Sequence, residues 1–321
     1  MNFTVLGPGR WGSCVAWYLN HTNHNVMLWG REEDLNFQDL RKTRKNEYTT
    51  FPENLNMSTN LQEAIDFADV IIISINSQHI RDLLENVCAQ NNYKDKKYVI
   101  CMKGIENGTG KRLSEIFIEF GIDKSNVATW VGPGHIQSIT SRIPGVMIID
   151  SYNKDLSKFL VESVKSEQMK FYQGQDMIGT EIGAAAKNVV GIAAGLLDGM
   201  GYSSLKGALM TRATHEISLL IEACGGNKLS AYGLCHLGDY EATLFSPFSH
   251  NRMFGEKFAK GEKFDKLAEG VATSSALLVL AENCNVDLPI TKMVNNIIFE
   301  KQTKESGFLE LFNRLNIIEL K

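Results

Sequence analysis

The stretch LGPGRWG, residues 6–12, places Gly7, Gly9 and Gly12 in G-x-G-x-x-G spacing, between the apolar run FTVL and the helical pattern WGSCVAWYLNH. In a chain with 27 glycines the spacing alone is a weak signal. The strand before it and the helix after it make it a strong one. Gly7 permits a tight turn, Gly9 lets backbone approach a pyrophosphate, and Gly12 allows the helix to pack closely on the strand. The helix N-terminus then offers N–H groups and the positive end of its dipole to phosphates. A chain that starts this way is committed to a βαβ unit in a dinucleotide-binding sheet.

The rest of the first half continues the alternation. FTVLG (3–7), NVMLW (25–29), ADVIIISI (68–75), KYVICMK (97–103) and NVATWVG (126–132) read as strands. WGSCVAWYLNH, NLQEAIDF, SQHIRDLLENVCAQ and GKRLSEIFIEF read as helices between them. PGVMIID (144–150) and MKFYQG (169–174) add two further strands. Near-continuous apolar strands separated by helices predict an α/β fold, a Rossmann-type doubly wound parallel sheet covered on both faces. Beyond residue 178 strand patterns nearly vanish and helical periodicity takes over. The expected organisation is a dinucleotide-binding domain over 1–178 and an all-helical substrate and dimerisation domain over 179–321.

One segment of the helical half is unusual. GAAAKNVVGIAAGLLDGMG, residues 183–201, sets Lys187 among small and apolar residues. Positions four apart share a helix face, so Gly183, Lys187, Gly191 and Gly195 form one stripe. Each glycine costs roughly 1 kcal/mol against alanine inside a helix, so a stripe of them implies that backbone or ligand comes close there. A lysine in such a place suits acid–base work; a lysine snorkelling from a buried helix to water is the other reading. The loop-rich CHLGDYEATLFSPFSHNRMFG (235–255) supplies Asp239, Thr243, Ser249, His250, Asn251 and Arg252. Lys103, in CMKGIENG, falls at the C-terminal end of a predicted strand, where open α/β sheets bind ligands.

These motifs together bring a family into view. GPGRWG, LWGR, FPENL, KGIE, IGTEIGAAAKNVVGIAAGLLDGMG, LGD, SPFSHNRMFG, AEGV and DLPI, in this order and spacing, resemble the NAD(P)-dependent sn-glycerol-3-phosphate dehydrogenase family over almost the whole chain. The resemblance implies reversible hydride transfer between a nicotinamide and dihydroxyacetone phosphate, supplying glycerophospholipid synthesis. It casts Lys187 as the acid–base lysine, Lys103 as the lysine that polarises the carbonyl, and Asp239 as the aspartate that orients Lys187. Asn188, Thr243, Ser249, His250, Asn251 and Arg252, with Gly132 and Gly134 of a glycine–proline loop, fall where the family holds substrate and its phosphate. Gly7, Gly9, Arg10, Trp11, Gly12, Arg31, Lys103, Ile136, His250, Leu267 and Glu269 fall where it holds NAD or NADP. Arg31, following the second strand, favours NADP, since an arginine there suits a 2′-phosphate. The family also implies a homodimer.

The chain departs from the family at two places. SHNRM stands where members read close to SRNRR, putting His250 in an arginine's place, and GPGHIQS stands for a loop near GPSFAKE. Histidine is only partly charged near neutral pH, so His250 is expected to weaken phosphate or cofactor binding. Two alternatives keep the fold: a dehydrogenase of another small phosphorylated or carboxylated ketone or alcohol, and a nicotinamide-binding sensor without turnover. Lys103, Lys187 and Asp239 together argue against the sensor, which needs none of them.

Composition excludes other classes. A net charge of −4 gives no basic field for nucleic acid or an anionic membrane surface. No run reaches the ~18 apolar residues a membrane span needs. Met1 leads straight into a strand, with no room for a leader. The six cysteines (14, 88, 101, 224, 235, 284) lack CxxC spacing, as reduced thiols of a cytoplasmic protein do. His236, Asp239 and His250 lie in one region without metal-ligand spacing, so no metal is expected.

Overall fold

The computed structural model describes residues 1–313. The first half runs β1 (Asn2–Leu6), α1 (Arg10–His21), β2 (Asn25–Trp29), α2 (Leu35–Thr43), β3 (Asn56–Ser58), α3 (Leu61–Phe67), β4 (Val70–Ile73), α4 (Ile80–Cys88), β5 (Lys97–Ile100), α5 (Leu113–Glu119), β6 (Val127–Val131), α6 (Ile136–Thr140), β7 (Gly145–Ser151), α7 (Lys154–Val164) and β8 (Met169–Gln173). Then come α8 (Met177–Gly199), α9 (Lys206–Ala223), α10 (His250–Ala259), α11 (Gly270–Asn283), α12 (Pro289–Ile298) and α13 (Lys304–Phe312).

The eight strands form one sheet in the order β3-β2-β1-β4-β5-β6-β7-β8. Its first six strands are parallel. β7 pairs antiparallel with β6 and parallel with β8, so the last two strands run the other way. The doubly wound parallel sheet expected from the sequence is present, with the β6–β7 pairing its one antiparallel step. The reversal follows from the glycine loop and the short α6, which return the chain beside β6. Alternate strand residues feed two buried layers, as the two-residue period of a strand requires. Phe3, Val5, Leu28, Ile72 and Trp130 enter one layer, and Leu6, Trp29, Ile71, Ile73 and Tyr98 the other. The strand β3 and the polar helix α2 carry too little apolar pattern to stand out in the sequence, whereas α7, with Leu156, Leu160 and Val164 on its buried face, has a helical stripe that the sequence reading did not assign.

Two compact units result. The first contains Met1–Gly104 and Lys111–Glu181; the second contains Ile105–Gly110 and the chain from Ile182 onward. The division falls inside α8. Thr180 at its head donates to Asp150 Oδ2 at 2.9 Å. Glu181 accepts from the Ser114 amide at 2.9 Å and pairs with Arg112 at 3.0 Å, within the first unit. Ile105–Gly110 joins the second unit, where Asn283 Nδ2 donates to the Thr109 carbonyl at 3.4 Å. From Gly179 to Leu197 every residue of α8 is buried, so the helix is mostly apolar all round, and its polar residues Thr180, Glu181, Lys187 and Asn188 are buried with partners. Among the described residues no helix is long and apolar enough to cross a membrane.

Candidate active site

In the first unit the β1–α1 turn is shaped as its glycines require. Gly7 takes φ +112°, and a Cβ on Gly12 would lie 2.0 Å from the Gly7 carbonyl oxygen, so turn and helix meet backbone to backbone. A Cβ on Gly9 would meet nothing within 4 Å. Gly9 is also the N-cap of α1, and no side chain caps the helix there. An open glycine and an uncapped helix N-terminus fit a pyrophosphate. Arg10, the first residue of α1, lies over the Tyr48 ring at 5.3 Å.

Around this turn stand the other predicted cofactor residues of the unit. Lys103, just beyond β5, donates from Nζ to the Gly132 carbonyl at 2.9 Å. Gly132 opens the loop between β6 and α6, and Gly134 in that loop lies so near the Trp11 ring that a Cβ would be 3.0 Å from it. Ile136 is buried at the start of α6. Arg31, past the end of β2, is exposed and 3.7 Å from Glu33. An ion pair in that setting is worth little, so the guanidinium can exchange it for a ligand's charge.

In the second unit the lysine of α8 is buried with only 7% exposure. Lys187 Nζ lies 2.7 Å from Asp239 Oδ2 and donates to Thr243 Oγ1 at 2.8 Å. Thr243 in turn donates to the Asp239 main-chain carbonyl at 2.7 Å. Asp239 is 1% exposed, so each charge is compensated by the other where water is excluded. Thr243 sits within a π-helical turn, Glu241–Phe245. Such turns often re-aim a side chain at a functional position.

The glycine stripe explains how this loop gets close enough. A Cβ on Gly191 would lie 2.9 Å from Thr243 Cγ2 and 3.2 Å from Asn251 Cβ. On Gly195 it would lie 2.0 Å from the Arg252 carbonyl oxygen and 2.7 Å from the Glu256 amide nitrogen. What approaches the stripe is therefore the 235–256 segment itself, which delivers Asp239, Thr243 and Asn251 to one face of α8.

The neighbouring polar residues form a chain. Asn251 Nδ2 donates to Asn188 Oδ1 at 3.0 Å, and its Oδ1 accepts from the Gly270 amide at 2.9 Å. Ser249 caps α10, accepting from the Arg252 amide at 3.3 Å. His250 opens α10, and its Nδ1 donates to the Leu267 carbonyl at 3.2 Å. Leu267 is exposed, and Glu269 precedes α11. Arg252 is differently employed: its Nη1 binds Asp198 at 2.9 Å and Glu256 at 2.8 Å, and its Nε binds the Ser246 carbonyl at 3.1 Å. This guanidinium braces α10 against α8.

Two residues of this arrangement carry roles the sequence reading did not give them, Asp198, which it passed over, and His236, which it weighed only as a metal ligand. Asp198, one turn beyond Gly195 on the stripe, also binds Lys206 at 2.6 Å. Burial raises the Asp198 pKa, but hydrogen bonds from Lys206, Ser203 and Arg252 outweigh it and hold the carboxyl below its ordinary range. His236, 0% exposed, bonds through Nδ1 to the Gly183 carbonyl at 2.8 Å and through Nε2 to the Tyr240 hydroxyl at 2.6 Å. A carbonyl can only accept, so Nδ1 carries the hydrogen and Nε2 accepts from Tyr240. The ring is neutral and ties the Asp239 turn to α8. Among the described residues no group of three or more His, Cys, Asp or Glu could hold a metal ion.

Comparison with known proteins decides the family. Residues 2–157 match the family described as the NAD-dependent glycerol-3-phosphate dehydrogenase N-terminus, and residues 176–308 match its C-terminus. The chain belongs to the NAD-dependent glycerol-3-phosphate dehydrogenase family. It is 37% identical to a glycerol-3-phosphate dehydrogenase [NAD(P)+] of Prosthecochloris aestuarii, across 98% of both chains. It is 31% identical to one of Fusobacterium nucleatum, across 100% of this chain and 99% of the other. Its fold matches the crystal structure of a glycerol-3-phosphate dehydrogenase from Coxiella burnetii with TM-score 0.89 and 26% identity, over 98% of this chain and 99% of that one. Membership makes the chain an NAD(P)-dependent oxidoreductase acting on a CH–OH group.

The buried imidazole gives a pH prediction. Burial, with a smaller contribution from Lys187, pushes His236 from 6.5 down to about 4. An unfolded chain takes up this proton near 6.5 and the folded one only near 4, so the group's contribution to stability is complete above 6.5 and is lost as pH falls toward 4. Histidine NMR should show one ring that stays neutral, with its hydrogen on Nδ1, throughout the range from 8 to about 5 where ordinary histidines titrate. A His236 ring that titrates near 6.5 contradicts this assignment.

Proposed function

We propose that the chain reduces dihydroxyacetone phosphate to sn-glycerol 3-phosphate, reversibly, with Lys187 as the acid–base group. The observation that carries this reading is the buried ammonium of Lys187, fixed by Asp239 at 2.7 Å and Thr243 at 2.8 Å. When bound, the reduced nicotinamide supplies hydride to C2 of the substrate. Lys187 donates the proton that the developing alkoxide at C2 requires, and recovers it in the reverse direction. Asp239 and Thr243 hold Nζ in one position, so little reorganisation is left for the proton transfer. By the family resemblance Lys103 polarises the carbonyl, Asn188 and Asn251 contact the substrate, and the N-terminus of α10 with Ser249 and His250 receives its phosphate. Gly7, Gly9, Gly12, Arg10, Trp11 and Arg31 hold NAD or NADP.

A second substrate is favoured by one observation, the histidine at 250 in an arginine's place. Histidine makes a weaker anion ligand, and Arg252 does not replace the missing arginine, because Asp198 and Glu256 already engage it. The assembly we propose is a cytoplasmic homodimer that supplies glycerophospholipid synthesis. The dimer is supported by an apolar cavity of about 700 Å³ in the helical unit, lined by Leu205, Leu209, Leu219, Ile290, Met293 and Phe312; the compartment and pathway rest on the family resemblance. A second copy would cover Leu219 and Phe312, which are 40% and 80% exposed.

Absorbance loss of NADH and of NADPH with dihydroxyacetone phosphate tests the reaction. Lys187→Ala should lower kcat by about 10²–10⁴-fold while leaving the nucleotide Kd unchanged. Turnover at the parent rate contradicts the assignment. His250→Arg should lower the KM for dihydroxyacetone phosphate by roughly tenfold, the worth of one charge-assisted hydrogen bond. An unchanged KM means that position 250 does not meet the phosphate. Sedimentation velocity should give one species at twice the chain mass, and a monomer at micromolar concentration contradicts the dimer.

A further inference from the structure

The six cysteines do not share one environment. Cys14 and Cys101 are buried, and burial pushes both thiols up to about 12, where almost no thiolate forms at neutral pH. Burial also raises Cys88. Cys235 is buried, with its Sγ 3.1 Å from the Ser230 carbonyl oxygen. Cys224 and Cys284 differ: both are partly exposed, flanked by exposed residues, and their Sγ atoms lie 2.7 Å apart. They are 60 residues apart in sequence, so only the fold brings them together.

Their backbones are held in matching ways. Cys224 is the C-cap of α9 and Cys284 the C-cap of α11. Each is followed by a residue of positive φ, Gly225 at 83° and Asn285 at 55°. Each cap is closed by the same pair of bonds. Gly226 donates to the Ile221 carbonyl at 2.8 Å and Gly225 to that of Glu222 at 3.0 Å; Val286 donates to Ala281 at 2.9 Å and Asn285 to Glu282 at 3.1 Å. This double closure fixes the end of each helix, and with it the direction of each Cys Cβ. Two thiols on two fixed caps have sulfurs 2.7 Å apart, against about 2.05 Å for an S–S bond, so only a small closure separates them from bonding.

We propose that Cys224 and Cys284 form a reversible dithiol–disulfide site, oxidised by a hydroperoxide or by a small-molecule disulfide. With a hydroperoxide, one thiolate sulfur attacks the peroxide oxygen, the O–O bond breaks, and a sulfenic acid and water (or an alcohol) leave that step. The second thiol sulfur then attacks the sulfenic sulfur, the S–S bond forms, and the hydroxyl departs as water with the remaining proton. Two thiols lose two electrons and two protons, and the peroxide takes up both. With a small disulfide, the same two electrons reduce it to two thiols by exchange through a mixed disulfide. The attacking species is a thiolate, so oxidation is faster at alkaline than at neutral pH. The bond would join the ends of α9 and α11 and close a long loop.

The full-length protein, treated with hydrogen peroxide or oxidised glutathione, alkylated and mapped by mass spectrometry, tests this. The expected result is one intramolecular Cys224–Cys284 cross-link that dithiothreitol reverses, with the other cysteines alkylated. Cys284→Ser should abolish the cross-link and Cys88→Ser should retain it. The oxidised parent should unfold several degrees above the reduced parent, roughly the gain of closing a loop of this length. Cysteines 224 and 284 recovered as alkylated thiols or as separate mixed adducts would overturn the proposal. So would a cross-link that lowers the unfolding midpoint, since it would then fit only a distorted chain.

Discussion

The ion pair between Lys187 and Asp239 is the interaction on which the second unit is organised. Neither charge can stand alone where it is: Lys187 is 7% exposed and Asp239 is 1% exposed. Deleting one partner of such a pair costs about 3–5 kcal/mol, mostly because the other charge is left buried and uncompensated. Pairing removes that penalty but gives the fold little net stability, which accords with the acid–base role proposed for Lys187. Everything next to it serves geometry. Thr243 bridges ammonium and main chain, the neutral His236 ties the Asp239 turn to α8, and Asp198 gathers Lys206 and Arg252 at the far end of the stripe.

Close approach is what allows the pair to form. A helix of ordinary side chains keeps its neighbours at a distance, and Lys187 would then reach for water. Glycines at 183, 191 and 195 remove that spacing: side chains of Cys235, His236, Thr243 and Asn251 occupy the space a Cβ would fill at Gly183 and Gly191, and backbone of Arg252 and Glu256 does so at Gly195. The conformational cost of those glycines is roughly 1 kcal/mol each. It is offset by burying Ile182, Ile192 and Leu196, each worth about 1.5–3 kcal/mol. The turn between β1 and α1 uses the same device, with Gly7 and Gly12 in mutual contact and Gly9 left open, as the pyrophosphate site proposed there requires.

The sheet was readable because apolar β-branched strands such as VIII at 70–73 leave no other reading, and because glycine spacing marks the first turn. The reversal of β7 and β8 was not readable, since an apolar strand looks the same in either direction. The three-residue β3 was too short to show a period. Lys187 was legible as an anomaly, and family resemblance supplied its partners. The brace role of Arg252 was hidden: an arginine beside a candidate phosphate site looks like a ligand until Asp198 and Glu256 are seen to hold it. His236 was weighed only as a metal ligand, because tautomer and partner exist only in three dimensions.

The bare glycine face, rather than any single polar group, sets the position of Lys187. Gly195→Ala puts a methyl group where the Arg252 carbonyl lies, far from either reacting charge. The direct measurement is steady-state turnover of this variant with dihydroxyacetone phosphate, alongside the nucleotide Kd measured by fluorescence. The expected result is kcat lowered by tenfold or more, about 1.4 kcal/mol or more for misplacing the proposed acid–base group, with the Kd unchanged. A folded variant with the parent's kcat would contradict it.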